Sequence, residues 1–258
     1  MSSTATPLIS VISASYNALD GVRATVESVA SQLGGIAAEH IIVDGGSDDG
    51  TREYLTGLGD AVRWVSEPDD GIGDALNKGV SMAKGEWILV LQAEDTFCTE
   101  TSLKEAVSAF DPSADIMSFD VLVTSDDGSV RRFASKGMDW LARFHMRIPH
   151  QGIFCRKAVF DQLGPFDTSF RIAMDYEFLL RAHASGKKLV SHNMALSRMP
   201  DSGVSSQRDW GSLRGRLAEN KRLQQRHNHK LTHRILHQLY WSIYPVYKRL
   251  RHKEAWRD

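Results

Sequence analysis

Residues 41–51 read IIVDGGSDDGT. Three apolar residues, Ile41, Ile42 and Val43, stop at Asp44; a loop of Gly, Ser and Asp follows, and Thr51 opens a segment with helical spacing. An unbroken apolar run bounded by turn residues is the pattern of a strand covered on both faces. A strand of that kind ending in a carboxylate, with a helix after it, puts Asp44 at the carboxyl edge of a parallel sheet. Open α/β sheets bind their ligands at that edge.

The pattern extends in both directions. Residues 8–13, 62–65 and 87–91 read as further strands, and 22–32, 51–58 and 72–83 as the helices between them, the glycines at 34–35 and 85 acting as stops. Strand and helix in alternation predict a mostly parallel, Rossmann-like sheet with helices on both faces. Beyond residue 100 the rhythm changes. A helix is expected over 99–110, and strands at 115–124 and 130–134 flank Ser125-Asp126-Asp127-Gly128, a hairpin turn. Strands at 151–155 and 188–198 and a helix at 175–184 complete a mixed half. The expected organisation is a catalytic domain over 1–207, with a nucleotide-binding half (1–100) and an acceptor-side half (101–207). A loop over 200–212 leads into a basic amphipathic helical tail, 208–258.

The 258 residues carry a net charge of −1, but unevenly. From Arg208 to Asp258 there are 13 Lys and Arg against 4 Asp and Glu, net +9, which leaves −10 for residues 1–207. An acidic body argues against nucleic acid as a partner, and a basic tail argues for an anionic one. Two cysteines, Cys98 and Cys155, give no disulfide framework and no metal-ligand spacing, consistent with a reducing cytoplasm. No run of 18 apolar residues is present and no signal peptide is expected.

Four polar clusters fall at the expected strand ends: Ser15-Tyr16-Asn17, 44–51, 67–73 and Gln92-Ala93-Glu94-Asp95. Each alone reads as turn chemistry, but four along one sheet edge point to a site. Tyr16 offers a ring for stacking and Asp44 an acceptor for a base N–H. Glu94 and Asp95 offer hard oxygen ligands suited to Mg²⁺ or Mn²⁺. Because carboxylates repel a bare diphosphate, a nucleotide here calls for a bridging cation. Gly71-Ile72-Gly73 follows the third strand and has neither a third glycine nor a P-loop lysine, so it is not a dinucleotide fingerprint.

In order and spacing, the segments SVISASYN, IIVDGGSDDGT, SEPDDGIGDALNKGVSMAKGEW, LVLQAED, PHQGIFCRK and FDTSFRIAMDYEFLLR resemble a family 2 glycosyltransferase of the GT-A fold, over about residues 8–200. The nearest likeness is to bacterial enzymes that build exopolysaccharide, capsule or O-antigen. The resemblance implies an inverting enzyme that moves a sugar from a nucleotide-sugar donor, a UDP-sugar by preference, to a glycan or polyprenyl-linked acceptor. It implies Tyr16, Asn17 and Asp44 around the base, Asp49 or Asp74 near base and ribose, and Lys78 near the phosphates. Asp95, with Glu94 close by, would hold a divalent metal, Mn²⁺ or Mg²⁺. Asp175 would be the general base on the acceptor hydroxyl, with Glu177 next in line, and His150-Gln151 would line the acceptor or phosphate side. Two positions depart from the pattern: Gln92 replaces the first carboxylate of the usual Asp-x-Asp, and Leu76 stands where an arginine is common. A sugar-phosphate nucleotidyltransferase is the enzyme alternative, although residues 17–21 lack its glycine- and cation-rich signature. A non-catalytic nucleotide-sugar scaffold is the other, with Gln92 as its single support.

In the tail, Leu236, Leu239, Tyr240, Ile243, Val246, Tyr247 and Leu250 recur at helical spacing, with Lys248, Arg249, Arg251 and Lys253 beside them. This suits either an anionic membrane surface, placing the protein at the inner face of the cell membrane, or packing on the catalytic domain or a second subunit. Pro245 is expected to kink such a helix. The tail histidines 227, 229, 233, 237 and 252 read as part of a solvated basic face without carboxylate partners. The oligomeric state is left open.

Overall fold

The computed structural model describes residues 6–201, 209–227 and 231–254. One mixed sheet organises it. Strand β1 (Ile9–Ser15) is central and buried at all seven positions. It pairs in parallel with β2 (Ala38–Asp44) on one side and β4 (Trp87–Val90) on the other, and β2 pairs in parallel with β3 (Arg63–Ser66). Helices α1 (Leu19–Gln32), α2 (Thr51–Gly57) and α3 (Ile72–Met82) are the crossovers. The order β3-β2-β1-β4 reverses direction between β1 and β4, which opens the ligand crevice of this architecture.

The apolar run of β2 divides by the pleat. Ile41 and Val43 face α3 and the helices of the second half, while Ile42 packs with Val22 and Val26 of α1 and Leu55 of α2. Both faces are covered, hence no polar alternation. Gly79 lets α3 lie close on β1: a Cβ there would run into the Ile12 side chain.

The second half continues the sheet with mixed pairing. β8 (Ile153–Arg156) lies antiparallel to β4 and to β6 (Ile116–Thr124). β6 pairs in parallel with β9 (Leu189–Pro200) and antiparallel with β7 (Val130–Phe133), the hairpin expected at 125–128. Two elements escaped the sequence reading: the two-residue strand β5 (Thr96–Phe97) on β9, and helix α5 (Lys157–Leu163). The helix α4 (Ser102–Ser108) is shorter than its expected 99–110: ahead of it, the Thr99 N–H donates to Ser102 Oγ and the Thr99 hydroxyl accepts the Thr101 N–H, a turn in place of the helix's first residues. Helix α6 (Met174–Ala184) follows the expectation closely.

After residue 200 there are two helices, α7 (Trp210–His227) and α8 (Leu231–Glu254), and the latter runs through Pro245. The expected loop therefore ends at α7; residues 202–208 lie outside the described part. Helix α7 belongs to the main core, since Leu223 is fully buried with the α6 residues Tyr176, Phe178 and Leu180. No helix among the described residues is long and apolar enough to cross a membrane.

Candidate active site

At the tip of β2, Asp44 is completely buried. Five donors surround its carboxylate: Ser15 Oγ at 3.1 Å, Ser47 Oγ at 2.5 Å, Ser66 Oγ at 2.6 Å, and the backbone N–H groups of Gly46 (3.2 Å) and Ser47 (2.9 Å). Burial raises its pKa, but the serine hydroxyls and the Ser47 N–H outweigh that and hold it below the ordinary carboxylate value. The structure thus gives Asp44 a different position from the one expected of a base-binding acceptor: it knots together the ends of β1, β2 and β3. Asp49 is similarly engaged. It accepts from the Leu19 N–H (2.8 Å), which fixes the start of α1, and from Thr51 N and Oγ1 (3.1 and 2.6 Å). Asn17, at φ 47°, closes the loop pair by donating its N–H to Ser47 Oγ and accepting from the Asp48 N–H.

What this knot presents outward is Tyr16, 66% exposed. Its ring flanks Gly45, and on the same glycine lies the carboxylate of Asp69: a Cβ on Gly45 would sit 3.3 Å from Tyr16 Cδ2 and 2.7 Å from Asp69 Oδ2. Tyr16, Gly45 and Asp69 form an open slot with a stacking ring, a bare backbone and a carboxylate. One Asp69 oxygen accepts the Gly71 N–H (2.8 Å). Asp69 was not among the residues singled out from sequence. The signal available was its place in the 67–73 cluster, beside a proline and ahead of a glycine. Asp74 and Lys78 lie further along on α3 and pair with each other at 3.2 Å; Lys78 also reaches Glu67 and the Pro68 carbonyl, both at 3.0 Å.

The end of β4 folds into a tight turn, Gln92 to Asp95. The Thr25 hydroxyl clamps it by contacting the carbonyls of Gln92 and Asp95 at 3.2 and 2.9 Å. Glu94 takes φ 81°, a left-handed conformation uncommon for such a residue. That twist leaves Glu94 exposed over Gly21 and turns Asp95 inward, 2% exposed. Asp95 accepts from the Gln92 backbone N–H (2.9 Å) and the Gln151 side chain. Gln92 therefore contributes to this site through its main chain. Burial pushes the Asp95 carboxyl up to about 7, against the opposing pull of His150.

His150, in the 3₁₀ turn His150–Gly152 before β8, stands between two carboxylates. Its Nδ1 lies 3.3 Å from Asp175 Oδ2, while Asp95 acts on it through its charge. Burial lowers the His150 pKa, yet Asp175 and Asp95 together leave it raised. Its Nε2 is buried with no hydrogen-bond partner. Asp95, His150 and Asp175, from β4, the β8 approach and α6, are thereby brought together. Among the described residues no group of three His, Cys, Asp or Glu side chains is arranged to hold a metal. The donor set fits a cation only as a one-carboxylate site at Asp95, completed by oxygens of a bound ligand.

The start of α6 is held from the tail. The Glu219 carboxylate of α7 accepts the N–H groups of Arg171 (3.0 Å), Ile172 (2.9 Å) and Ala173 (3.0 Å), the residues leading into Asp175. Glu177 is buried and salt-bridged to Arg181 (3.0 Å) and His227 Nε2 (3.2 Å). Two expectations are corrected here. Glu177 is committed to an ion pair rather than free to act as a base, and His227 is not on a solvated face but partners that carboxylate. His237 is buried as well, beside Trp241, whose indole N–H donates to Gln224 Oε1 at 2.8 Å. His229 lies outside the described residues.

A sheet edge with a stacking slot, a buried carboxylate at β4 and a histidine-linked carboxylate on α6 invites comparison with known proteins. Residues 10–174 match the family model described as Glycosyl transferase family 2. The chain is a family 2 glycosyltransferase. This glycosyltransferase is 35% identical over 227 residues to an uncharacterized glycosyltransferase of Mycobacterium tuberculosis, covering 83% of each chain. It is 31% identical over 225 residues to a PGL/p-HBAD biosynthesis glycosyltransferase of Mycobacterium bovis, covering 84% of this chain and 83% of the relative. Among solved structures, S. aureus TarS 1–349 in complex with UDP-GlcNAc superposes with a TM-score of 0.62 at 18% identity, over 76% of this chain and 59% of that one. Mannosyltransferase PcManGT from Pyrobaculum calidifontis, in complex with GDP-Man and Mn²⁺, gives 0.62 at 18% identity over 84% and 63%. The glycosyltransferase spans 38% of the longer TarS chain. These likenesses establish the GT-A fold.

Proposed function

We propose that this glycosyltransferase transfers a sugar from a nucleotide-sugar donor, a UDP-sugar by preference, to a glycan or polyprenyl-linked acceptor in cell-surface polysaccharide or glycolipid synthesis. Transfer proceeds in one inverting displacement, at the inner face of the cell membrane. The observation that carries the reading is the Asp95–His150–Asp175 constellation at the carboxyl edge of the parallel strands. A base stacks on Tyr16 in the slot above Gly45, where Asp69 has an oxygen to accept its N–H. Asp95 is the residue that would hold a divalent cation, which would supply positive charge opposite the departing nucleoside diphosphate. Neutralising Asp95 in this way offsets the burial that otherwise favours its protonated form.

Asp175 is the carboxylate at the acceptor side with an oxygen directed at His150 and into the site. It takes the proton of the attacking hydroxyl as the bond to C1 forms. His150 keeps Asp175 oriented and balances its charge against that of Asp95. Glu177, the other carboxylate of that turn, is locked by Arg181 and His227. One available carboxylate supports a single displacement, and so inversion. The UDP preference is supported by TarS, whose solved complex contains UDP-GlcNAc, while the PcManGT complex with GDP-Man and Mn²⁺ keeps guanine in the comparison.

Thermal unfolding with UDP, GDP, CMP and dTDP, each with and without Mn²⁺, tests the reading. A nucleotide at 100 times its Kd adds about 2.7 kcal/mol to stability. The expected result is one nucleotide that stabilises strongly only with metal. Equal stabilisation with and without metal would remove the cation from the reading, and no stabilisation by any nucleotide would remove the donor.

A further inference from the structure

Eight of the eleven large apolar side chains exposed among the described residues lie on α8. Leu231, Ile235, Leu239, Ile243, Val246 and Leu250 are each more than half exposed, Leu231 at 70% and Ile243 at 67%. At helical pitch these six sweep about 120° of the helix, one continuous stripe. The helix is not free to roll and hide it. Trp241 and His237, on the opposite side, are buried, and the Trp241 N–H is fixed on Gln224 of α7.

Charge identifies what covers the stripe. Among its described side chains, helix α8 carries Arg234, Lys248 and Arg249 and no carboxylate. Two copies meeting along α8 would set one net-positive helix against another. The remainder of the described surface has just three exposed large apolar side chains, Tyr16, Val130 and Trp140, too few to receive a partner's stripe. An anionic lipid surface matches both the apolar and the cationic parts.

A second observation lies on the flank of the stripe. A cleft between α7 and α8 is lined by Lys221, Gln225, Arg234, His237 and Ser242. The His237 ring is buried there and its Nε2 has no hydrogen-bond partner. Arg234 and Ser242 each adjoin a stripe residue in sequence, Ile235 and Ile243. For a helix lying in a bilayer interface, the flanks are level with the lipid phosphates.

The geometry points to α8 as the docking surface for an anionic bilayer, with its apolar stripe sunk into the headgroup–acyl boundary and the α7/α8 cleft taking a lipid phosphate. This rests on the reading that the acceptor is lipid-linked, and it adds an orientation. Trp140, 67% exposed, contacts Phe144, which packs on Tyr240 of α8, with ring centroids at 6.0 and 5.3 Å. The segment that begins there runs to His150. Docking therefore sets the acceptor side of the site at the membrane, where a sugar on a lipid phosphate reaches Asp175.

The test is co-sedimentation of the full chain with phosphatidylcholine vesicles, with and without phosphatidylglycerol. The wild type is expected to pellet with the anionic vesicles and to be released by salt. Leu239→Glu combined with Ile243→Glu should lower partitioning about tenfold or more, while melting and transfer to a water-soluble acceptor stay at the wild-type level. Lys221→Gln combined with Arg234→Gln should weaken the preference for phosphatidylglycerol. A wild type that stays in the supernatant, or a stripe variant that pellets like it, overturns the proposal. So does a wild-type dimer that the stripe variant dissociates, which would give the face to a second copy. Stabilisation by inorganic phosphate at matched ionic strength without vesicle capture would make the cleft a free-phosphate site, also against it. Vesicle capture of a wild type that transfers no sugar would sink the catalytic reading and leave the docking surface standing.

Discussion

The two halves of the site are built in different ways. On the nucleotide side, the carboxylates are held from within the parallel half, across neighbouring strand ends: Asp44 by Ser15, Ser47 and Ser66, and Asp49 by Leu19 and Thr51. On the acceptor side, the residues before Asp175 are held by Glu219, and Glu177 by His227, both from a helix more than forty residues downstream. The first half is tied together by its own strand ends, while the second borrows its rigidity from the tail. Under the proposed function, a slot for a common nucleotide is thus separable from a region that would position a particular acceptor.

Substitutions at four positions test that contrast. The largest effect is expected at Asp175. Asp175→Asn should slow transfer by about 10²–10⁴-fold, the range for a general base, and leave donor binding intact by calorimetry. A variant with near wild-type turnover would move the base elsewhere and dissolve the acceptor-side assignment. Next comes Glu219→Ala. It strips an acceptor from three N–H groups and should lower stability by about 2 kcal/mol. Displacement of the Asp175 turn should also cut kcat by up to about 10²-fold with the donor KM unchanged. Glu219→Gln, which keeps one accepting oxygen, should recover part of the rate. A loss in donor KM instead would mean that the two halves are not separate.

On the other side of the contrast, Gly45→Ala wedges a methyl group between Tyr16 and Asp69. Overpacking of this kind costs about 1–3 kcal/mol, so nucleotide affinity should fall by about tenfold or more, with kcat at saturating donor preserved. Unchanged affinity in a titration would remove the slot from donor binding. The smallest effect concerns acid stability. Burial raises the Glu177 pKa, but His227 and Arg181 outweigh it and hold the folded-state value below the ordinary 4.5. Its contribution is therefore complete above that value and fades as pH falls through the lower, folded one. A melting-temperature profile should show the wild type losing stability over this acid range, and Glu177→Gln should flatten that limb. Parallel profiles would exclude the pair as a source of acid sensitivity.

The parallel half was legible because strand periodicity and turn residues are local properties. The runs at 41–43 and 87–91, and the glycine stops after the helices, gave elements within a residue or two at most ends. The hairpin at 125–128 was legible for the same reason. β5 was not, because two residues carry no period and exist as a strand only through pairing with β9. At the site, the cluster positions were legible but the burial of individual carboxylates was not. Nothing in DGGSDDGT tells that Asp44 turns inward to three serines while Asp69, from another loop, faces the slot. The tail histidines show the limit most clearly. His227 looks like surface charge until Glu177 is found opposite it, fifty residues away in sequence.

The Glu219 clamp also has an evolutionary meaning. Residue 219 lies beyond the matched segment, 10–174, yet it grips the backbone of 171–173 at the edge of that segment. Because it binds main-chain N–H groups, it places no demand on the side chains of 171–173, and those positions are free to diverge. The carboxylate is not free in the same way. Recombining this catalytic segment with another lineage's C-terminal helices would succeed where an acidic residue arrives in that register. Elsewhere it would yield a folded transferase with a loosened acceptor turn. Under the proposed function, the setting of Asp175 can therefore drift by changes in a helix that contributes no residue to the Asp95–His150–Asp175 cluster.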